Sequence, residues 1–485
     1  MTLKEKTVSG LIWSFIDSIA GQGITFIVGI ILARLLTPKE FGLVGMITIF
    51  IAISSSFINS GFATALIQKQ NCTEKDYSTV FYFNLAMGIL FFWILFFAAP
   101  AISHFFNEPQ LERIVQMLGI VLIIDALTII QRTILTKRID FKLQTKISII
   151  SSIFSGIIGL TMAFRGFGVW SLIARQISQQ AINSILLWVW NRWRPMLVFS
   201  IESFRQLFSF GYKLLISGLI DTLYRNIYYL IIGKYFSAQE LGYYTRADQF
   251  QSLPSSNVQN IISRVSYPVL SSIQDDVLRL REAYKKIIRS TMLITFILML
   301  GMAAVARPMI LILIGEKWEP CVIYLQMLCV IGMFYPLHAL NLNMLQVQGR
   351  SDLFLRLEII KKALAIPVVI IGVFWGINEM LLGMMVLTLI AYYLNSFWSG
   401  RLIGYSFLSQ IKDILPSFLL AVIMNAVVFA EGLLIPLPPL PLLIIQLITG
   451  AILTFGFCEA FHFKDYIYIK EIVKEKLLMH KNNDR

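Results

Sequence analysis

Residues 30–44 read IILARLLTPKEFGLV, and residues 230–244 read LIIGKYFSAQELGYY. At a constant offset of 200 positions the two stretches pair Ile31 with Ile231, Arg34 with Lys234, Glu40 with Glu240, and Gly42 with Gly242. Both stretches follow a long apolar run. A parallel internal repeat of this kind is typical of transporters built from two related halves. The repeat therefore predicts two six-helix halves related by an axis along the membrane normal.

The composition around this repeat is that of a membrane protein. Hydrophobic residues form 57% of the 485 positions and charged residues 14%, whereas a soluble chain carries about a quarter charged residues. Apolar runs of about 20 residues, the length that spans a bilayer, recur along nearly the whole chain, and we predict an all-α protein with about fourteen transmembrane helices. They lie at 11–36, 42–66, 79–105, 114–134, 146–164, 168–190, 207–233, 243–272, 287–314, 321–346, 352–376, 380–405, 413–433 and 438–461. Pro254 is expected to break the eighth.

The basic residues predict how the chain is oriented. With the N-terminus in the cytoplasm, 29 of the 41 Lys and Arg residues fall in cytoplasmic segments and 7 fall on the other side. This is the asymmetry of the positive-inside rule, so we expect a multi-pass protein of the plasma (inner) membrane with both termini in the cytoplasm. The excess of positive charge then requires no nucleic-acid partner. The first apolar run is too long for a signal peptide and is interpreted as a retained span.

Polar residues are distributed unevenly among the spans. They recur in the first twelve, whereas the last two offer little beyond Asn425. We therefore predict that twelve helices surround a polar cavity and that two are peripheral. The expected domains are an N-terminal six-helix bundle over 1–200, a C-terminal six-helix bundle over 201–406, two peripheral helices over 407–463 and a cytoplasmic tail over 464–485.

Sequence patterns of common enzymes are absent. The four histidines are isolated without HExxH spacing, and the chain contains neither GxxxxGK[ST] nor GxSxG. The four cysteines are scattered without a CxxC pair and are interpreted as small buried hydrophobes. We therefore predict a protein that is not an enzyme, with no cofactor and no metal.

Polar residues inside spans mark the candidate site, because a charge at bilayer depth costs a few kcal/mol unless it faces a cavity or a partner. Guanidinium groups bind phosphate bidentately, which favours an anionic, diphosphate-bearing substrate. The candidate substrate-binding residues are Arg175, Gln179, Arg225, Arg246, Asn257, Asn260 and Arg264.

Two of these assignments have alternatives. Asp221 and Arg225, at (i, i+4), could simply neutralise each other, and Arg246 could extend to the membrane interface. Asp17 and Asp221 are candidates for binding a coupling cation, although Asp17 could equally be a helix-packing residue.

Five motifs, taken in order, resemble one family. They are GQGITFIVGIILARLLTPKEFGLVGM at 21–46, RGFGVWSL at 165–172, RPMLVFSIESFRQLFSFG at 194–211, IIGKYFSAQELGYYTRADQFQSLP at 231–254 and LIGEKWEP at 313–320. Together they resemble bacterial polysaccharide flippases of the Wzx type, closest to the WzxC-like branch, over roughly residues 1–460. The family belongs to the multidrug/oligosaccharidyl-lipid/polysaccharide exporter superfamily.

The resemblance implies a fold and a function. The fold is two six-helix bundles around a central V-shaped cavity that opens alternately to each side. The substrate is an undecaprenyl-diphosphate-linked oligosaccharide moved to the outer leaflet for O-antigen, lipopolysaccharide or exopolysaccharide synthesis. By analogy with lipid II flippases, Arg175, Arg225 and Arg264 are candidates to engage the diphosphate. Membrane lipid and other polysaccharide assembly proteins are candidate partners.

Two other functions are weighed against this expectation. A multidrug or cation antiporter of the same fold would favour an acidic, aromatic cavity, and the arginines inside spans count against it. A polysaccharide polymerase or ligase is expected to carry a large outer loop, and the connections between these spans are short.

Overall fold

Helices make up all of the regular secondary structure in the described part of the chain. The structure is a computed structural model that describes residues 3–59, 61–468 and 470–471, with the backbone alone at 3–12, 14–16, 18–19, 210, 261 and 264–265. The helices are α1 (Leu3–Leu35), α2 (Pro38–Asn59), α3 (Phe62–Gln68), α4 (Glu74–Phe106), α5 (Leu111–Lys137), α6 (Phe141–Phe164), α7 (Val169–Asn191), α8 (Ile201–Tyr235), α9 (Ala238–Ser271), α10 (Val277–Ala304), α11 (Ala306–Leu313), α12 (Cys321–Gly332), α13 (Tyr335–Val347), α14 (Ser351–Trp375), α15 (Ile377–Ile403), α16 (Phe407–Leu434) and α17 (Pro439–Ala460).

Each predicted span coincides with one helix or with two consecutive ones. The second, ninth and tenth spans are divided into α2 and α3, α10 and α11, and α12 and α13. Within the described residues, nine helical stretches are long and apolar enough to cross a membrane by length and composition. The predicted all-α, multi-pass membrane fold is confirmed.

The internal repeat is present in the helix boundaries. Helix α1 ends at Leu35 and α8 ends at Tyr235, while α2 begins at Pro38 and α9 begins at Ala238. Both pairs of boundaries keep the offset of 200 positions that the sequence showed. The repeat in the sequence therefore corresponds to a repeat in the positions where these helices end and begin.

The expected break at Pro254 is absent, because α9 continues through both Pro254 and Pro268. A proline removes one backbone hydrogen bond from a helix, but membrane helices tolerate it where nearby polar side chains bond to backbone carbonyls. Here Ser255 Oγ donates to the carbonyl of Gln251 at 3.1 Å and Asn257 Nδ2 donates to that of Leu253 at 2.8 Å. The polar residues that interrupt this apolar run thus bond to the backbone of the helix.

The chain divides into two compact units within α9, between Thr245 and Arg246. Helix α8 packs along α2 and also contacts α3 and α4. Helix α8 and the start of α9 therefore belong to the first unit. The functional division into two six-helix bundles stays a prediction.

In the first unit, α5 contacts α2, α4 and α7, and α6 packs between α1 and α7. Its core contains Phe62, Phe81, Ile130, Trp193 and Leu207, all buried. Each large apolar side chain that is buried in this way stabilises the folded unit by about 1.5–3 kcal/mol. The packing holds α2, α3, α5 and α7 at fixed positions around the polar residues described below.

In the second unit, α10 packs against α16, α14 against α15, and α17 against α16 and α11. Helix α17 exposes large apolar side chains at Leu440, Ile444, Leu447, Ile452 and Phe455. An apolar surface of this extent is what a helix facing lipid presents.

Candidate functional site

Arg175 and Gln179 lie one turn apart on α7, and both are partly buried. A Cβ placed on Gly159 of α6 would lie 2.9 Å from the Cβ of Arg175, so the two helices are in close contact there. The Nε atom of Arg175 is buried and forms no hydrogen bond with any described residue. Leaving a buried donor unpaired costs free energy. An oxygen of an anionic ligand would provide the missing acceptor.

Asp221 and Arg225 form the (i, i+4) ion pair that the sequence analysis considered as an alternative. Arg225 Nε donates to Asp221 Oδ2 at 2.8 Å, with side chains 75% and 50% exposed. An exposed pair of this kind contributes about 0–1 kcal/mol to stability. Arg225 is therefore partly neutralised, but its guanidinium is largely accessible to a ligand.

The candidates on α9 from Arg246 onward belong to the second unit. Arg246 and Asn257 are partly buried and Asn260 is exposed. Asn257 Nδ2 donates to a carbonyl of its own helix at 2.8 Å, and Arg246 Nη1 donates to the side chain of Gln249. The prediction for Arg264 falls on a side chain outside the described part of the structure.

Asp17 lies on α1 and is partly buried. Its Oδ1 atom is buried and accepts no hydrogen bond from any described residue. Asp221, the other candidate for binding a coupling cation, is held by Arg225 instead. The geometry thus distinguishes the two carboxylates, because one already has a cationic partner and the other has none among the described residues.

A cavity of about 380 Å³ lies inside the first unit, between α2, α3, α5 and α7. One wall is a single face of α5, formed by Asp125, Thr128, Ile129, Arg132, Thr133 and Thr136. Ser55 and Asn59 of α2 and Gln180 of α7 also line the cavity. A volume of this size is within the range of small-molecule pockets, roughly 300–1,000 Å³.

This cavity was not predicted from the sequence. No residue of α5 was among the candidate site residues. A signal was present, because positions 125, 128, 132 and 136 recur at the three- and four-residue spacing of one helix face. The facing residues on α2 and α7 are far away in sequence, so the spacing alone predicts a polar face and not a cavity.

A second group of buried polar side chains lies in the second unit. Ser399 Oγ donates to Asn341 Oδ1 at 2.5 Å, and Asn395 Nδ2 lies 3.3 Å from His338 Nδ1. The hydroxyl of Tyr284 is buried beside Ser399. These contacts connect α13 with α15 across the core of this unit.

Three of the four cysteines are buried, as predicted, and none is paired. Cys72 differs, because it is partly buried and Lys137 Nζ lies 2.9 Å from its Sγ. The same ammonium donates to the carbonyl of Leu66, at the end of α3, at 3.0 Å. Among the described residues no cluster of His, Cys, Asp or Glu could hold a metal ion.

Comparison with known proteins identifies the family. A family model described as polysaccharide biosynthesis protein matches residues 31–323. The chain is 30% identical to the teichuronic acid biosynthesis protein TuaB of Bacillus subtilis (strain 168) over 355 residues, which is 73% of each chain. It is 27% identical to the lipopolysaccharide biosynthesis protein WzxC of Escherichia coli (strain K12), over 77% of this chain and 76% of that one.

The fold is also that of a solved transporter. The structure of the lipid II flippase MurJ, in an inward closed conformation, matches with a TM-score of 0.76 and 16% identity, covering 95% of this chain and 100% of that one. The resemblance to Wzx-type proteins seen in the five motifs is confirmed by the match to WzxC. Since the family model covers more than half of the sequence, the chain belongs to the polysaccharide biosynthesis protein family.

Proposed function

We propose that this protein moves an undecaprenyl-diphosphate-linked oligosaccharide from the cytoplasmic to the outer leaflet of the plasma membrane, for surface polysaccharide synthesis. One observation carries the proposal: a chain of the polysaccharide biosynthesis family has the fold of a lipid II flippase over 95% of its length. The fold supports a transport function, and the family supports a cargo used in polysaccharide synthesis. Transport in this role needs no catalytic step.

The candidate residues have distinct roles in this mechanism. Arg175, Arg225, Arg246 and Arg264 bind the diphosphate, because guanidinium stays charged when partly desolvated and binds phosphate through two donors. Gln179, Asn257 and Asn260 provide neutral hydrogen bonds to the headgroup. The buried, unpaired Nε of Arg175 supports its role most directly.

Alternating access provides the movement. The two halves open in turn to each side of the membrane while the prenyl tail stays in lipid. An ion gradient or the membrane potential drives the cycle, with the partly buried carboxylate of Asp17 as the cation ligand. Both termini lie in the cytoplasm, on the side where the basic residues accumulate. Other polysaccharide assembly proteins, outside the membrane step, consume the product.

The test is the distribution of lipid-linked repeat units between the leaflets. In a deletion strain we expect these units to accumulate in the cytoplasmic leaflet and surface polysaccharide to be lost, and we expect the intact chain to restore both. Normal polysaccharide in the deletion strain would contradict the proposal. Accumulation of cationic dye in that strain, with no change in lipid-linked sugars, would contradict it in favour of a drug antiporter.

A further inference from the structure

The cavity of the first unit contains two opposite charges that attract each other without forming a direct ion pair. Asp125 and Arg132 both line it, and in the described structure neither side chain forms an ion pair or hydrogen bond with another residue. They lie seven positions apart on α5, which places them about 10 Å apart along the helix axis. The cavity therefore has an acceptor-rich end and a donor-rich end.

The rest of the lining combines neutral polar residues with the apolar Ile58, Ala63, Ile67 and Ile129. Ser55, Asn59 and Gln180 line the cavity and make no hydrogen bond with the described residues. Their amide and hydroxyl groups can each donate and accept. By contrast, Thr128 and Thr133 donate to carbonyls of their own helix at 2.8 Å, so their oxygens are available as acceptors.

A cavity with one charge of each sign matches neither an anion nor a cation well. A diphosphate would be attracted by Arg132 but repelled by Asp125, and a small cation would be attracted by Asp125 but repelled by Arg132. The volume of about 380 Å³ would hold roughly ten water molecules, far more space than a single ion needs. A neutral, hydroxyl-rich ring matches the cavity, because each sugar hydroxyl can donate to a carboxylate or amide oxygen and accept from a guanidinium or amide.

We propose that this cavity is a subsite for a neutral sugar unit of the cargo, separate from the arginines that bind the diphosphate. Asp125 accepts hydrogen bonds from sugar hydroxyls at one end and Arg132 donates to sugar oxygens at the other. Gln180, Asn59 and Ser55 contact the middle of the ring. The inference rests on the proposed function, since it assigns part of the same cargo to a defined place in the first unit.

Cysteine accessibility tests the subsite without requiring transport. In full-length protein carrying Cys72→Ser, the three other cysteines are buried, and Ser55→Cys places a reactive thiol on the cavity wall. We expect the soluble oligosaccharide repeat, released from its lipid, to slow alkylation of this thiol by a small maleimide at least about fivefold. Inorganic diphosphate should have no effect. Ser209→Cys, exposed on α8, is the matched control and should be unaffected.

Variants of the lining residues complete the test. Losing one hydrogen bond of this kind weakens binding by about tenfold. We therefore expect that about ten times more oligosaccharide is needed to protect the thiol in each of the variants Asp125→Asn, Arg132→Gln and Gln180→Ala. Protection by sodium ions instead of sugar would overturn the subsite, as would unchanged protection in all three variants.

The subsite and the proposed function can fail separately. If the intact protein flips lipid-linked oligosaccharide in vesicles but sugar never protects the Ser55→Cys thiol, the subsite is wrong and the function stands. If sugar protects the thiol but no lipid-linked sugar is flipped, the subsite is supported and the proposed function is wrong.

Discussion

Gly42 and Gly242 make reciprocal contacts in the first unit. A Cβ on Gly42 would lie 1.5 Å from the carbonyl oxygen of Ala238, and a Cβ on Gly242 would lie 1.9 Å from that of Pro38. Each glycine thus lies against the first residue of the helix that carries the other. The N-terminal ends of α2 and α9 thus contact each other closely, which explains why both positions lack a side chain.

This contact predicts the effect of an added methyl group. The added methyl group should lower the free energy of unfolding by about 1–3 kcal/mol in each of the variants Gly42→Ala and Gly242→Ala, which is the range for overpacking. The methyl group would collide with backbone atoms, which cannot move aside as a side chain can. Gly23→Ala on α1 is the matched control, since no atom of the described residues lies within 4 Å of a Cβ there. It should leave stability unchanged or increase it by about 0.5–1 kcal/mol, because alanine favours a helix. Thermal unfolding in detergent measures all three, and equal melting temperatures would contradict the contact.

Arg175 predicts a graded effect on transport. Removing a charge-assisted hydrogen bond costs about 1.5–3 kcal/mol, so Arg175→Ala should reduce flipping of lipid-linked oligosaccharide roughly 10- to 100-fold. Arg175→Lys keeps the charge but loses the bidentate geometry. Its flipping rate should lie between those of the parent protein and the Arg175→Ala variant. Arg165→Ala, at an exposed position in the turn before α7, serves as the control. A transport rate equal to that of the parent protein in the Arg175→Ala variant would contradict the assignment of Arg175 to the diphosphate site.

Exchanging the charges of Asp221 and Arg225 separates the two interpretations of their ion pair. The double variant Asp221→Arg/Arg225→Asp retains a pair on the same helix face, so membrane levels of the protein should be normal. We expect transport to remain impaired, because the guanidinium has moved by one turn from its place beside the cargo. Recovery of full transport would show that the pair acts by neutralisation alone.

Asp17 is expected to connect transport to an ion gradient. Its Oδ1 is buried without a partner among the described residues, and Asp17→Asn removes the charge while keeping the shape. Flipping by this variant in vesicles should be slow and insensitive to an imposed sodium or proton gradient, whereas the parent protein should respond to one of them. A variant that still responds to the gradient would exclude Asp17 as the cation ligand.

The buried hydrogen bond between Ser399 and Asn341 should stabilise the second unit. Ser399→Ala leaves the Oδ1 atom of Asn341 without its donor and should cost about 1–3 kcal/mol. Ser396→Ala is the matched control, because this serine is equally buried but donates to a carbonyl of its own helix at 2.8 Å. Unfolding of the purified protein should therefore occur at a lower temperature in the first variant than in the second.

The amino-acid sequence by itself determined the helices and their repeat. A segment that crosses lipid must satisfy its own backbone hydrogen bonds and present apolar side chains, so local composition was enough to locate these helices. The matched residues at 30–44 and 230–244 also lie at helix boundaries that the structure shows at the same offset. The exception was Pro254, whose effect depended on nearby side chains.

Contacts between helices were decided by the tertiary structure. The sequence showed polar residues on α2, α5 and α7, but their convergence on one cavity follows from the packing of those helices against each other. In the same way, Gly42 and Gly242 were visible as a matched pair, whereas their mutual contact was not. The physical reason is that hydrophobicity acts residue by residue along the chain, while a cavity or a close contact depends on the positions of several helices at once.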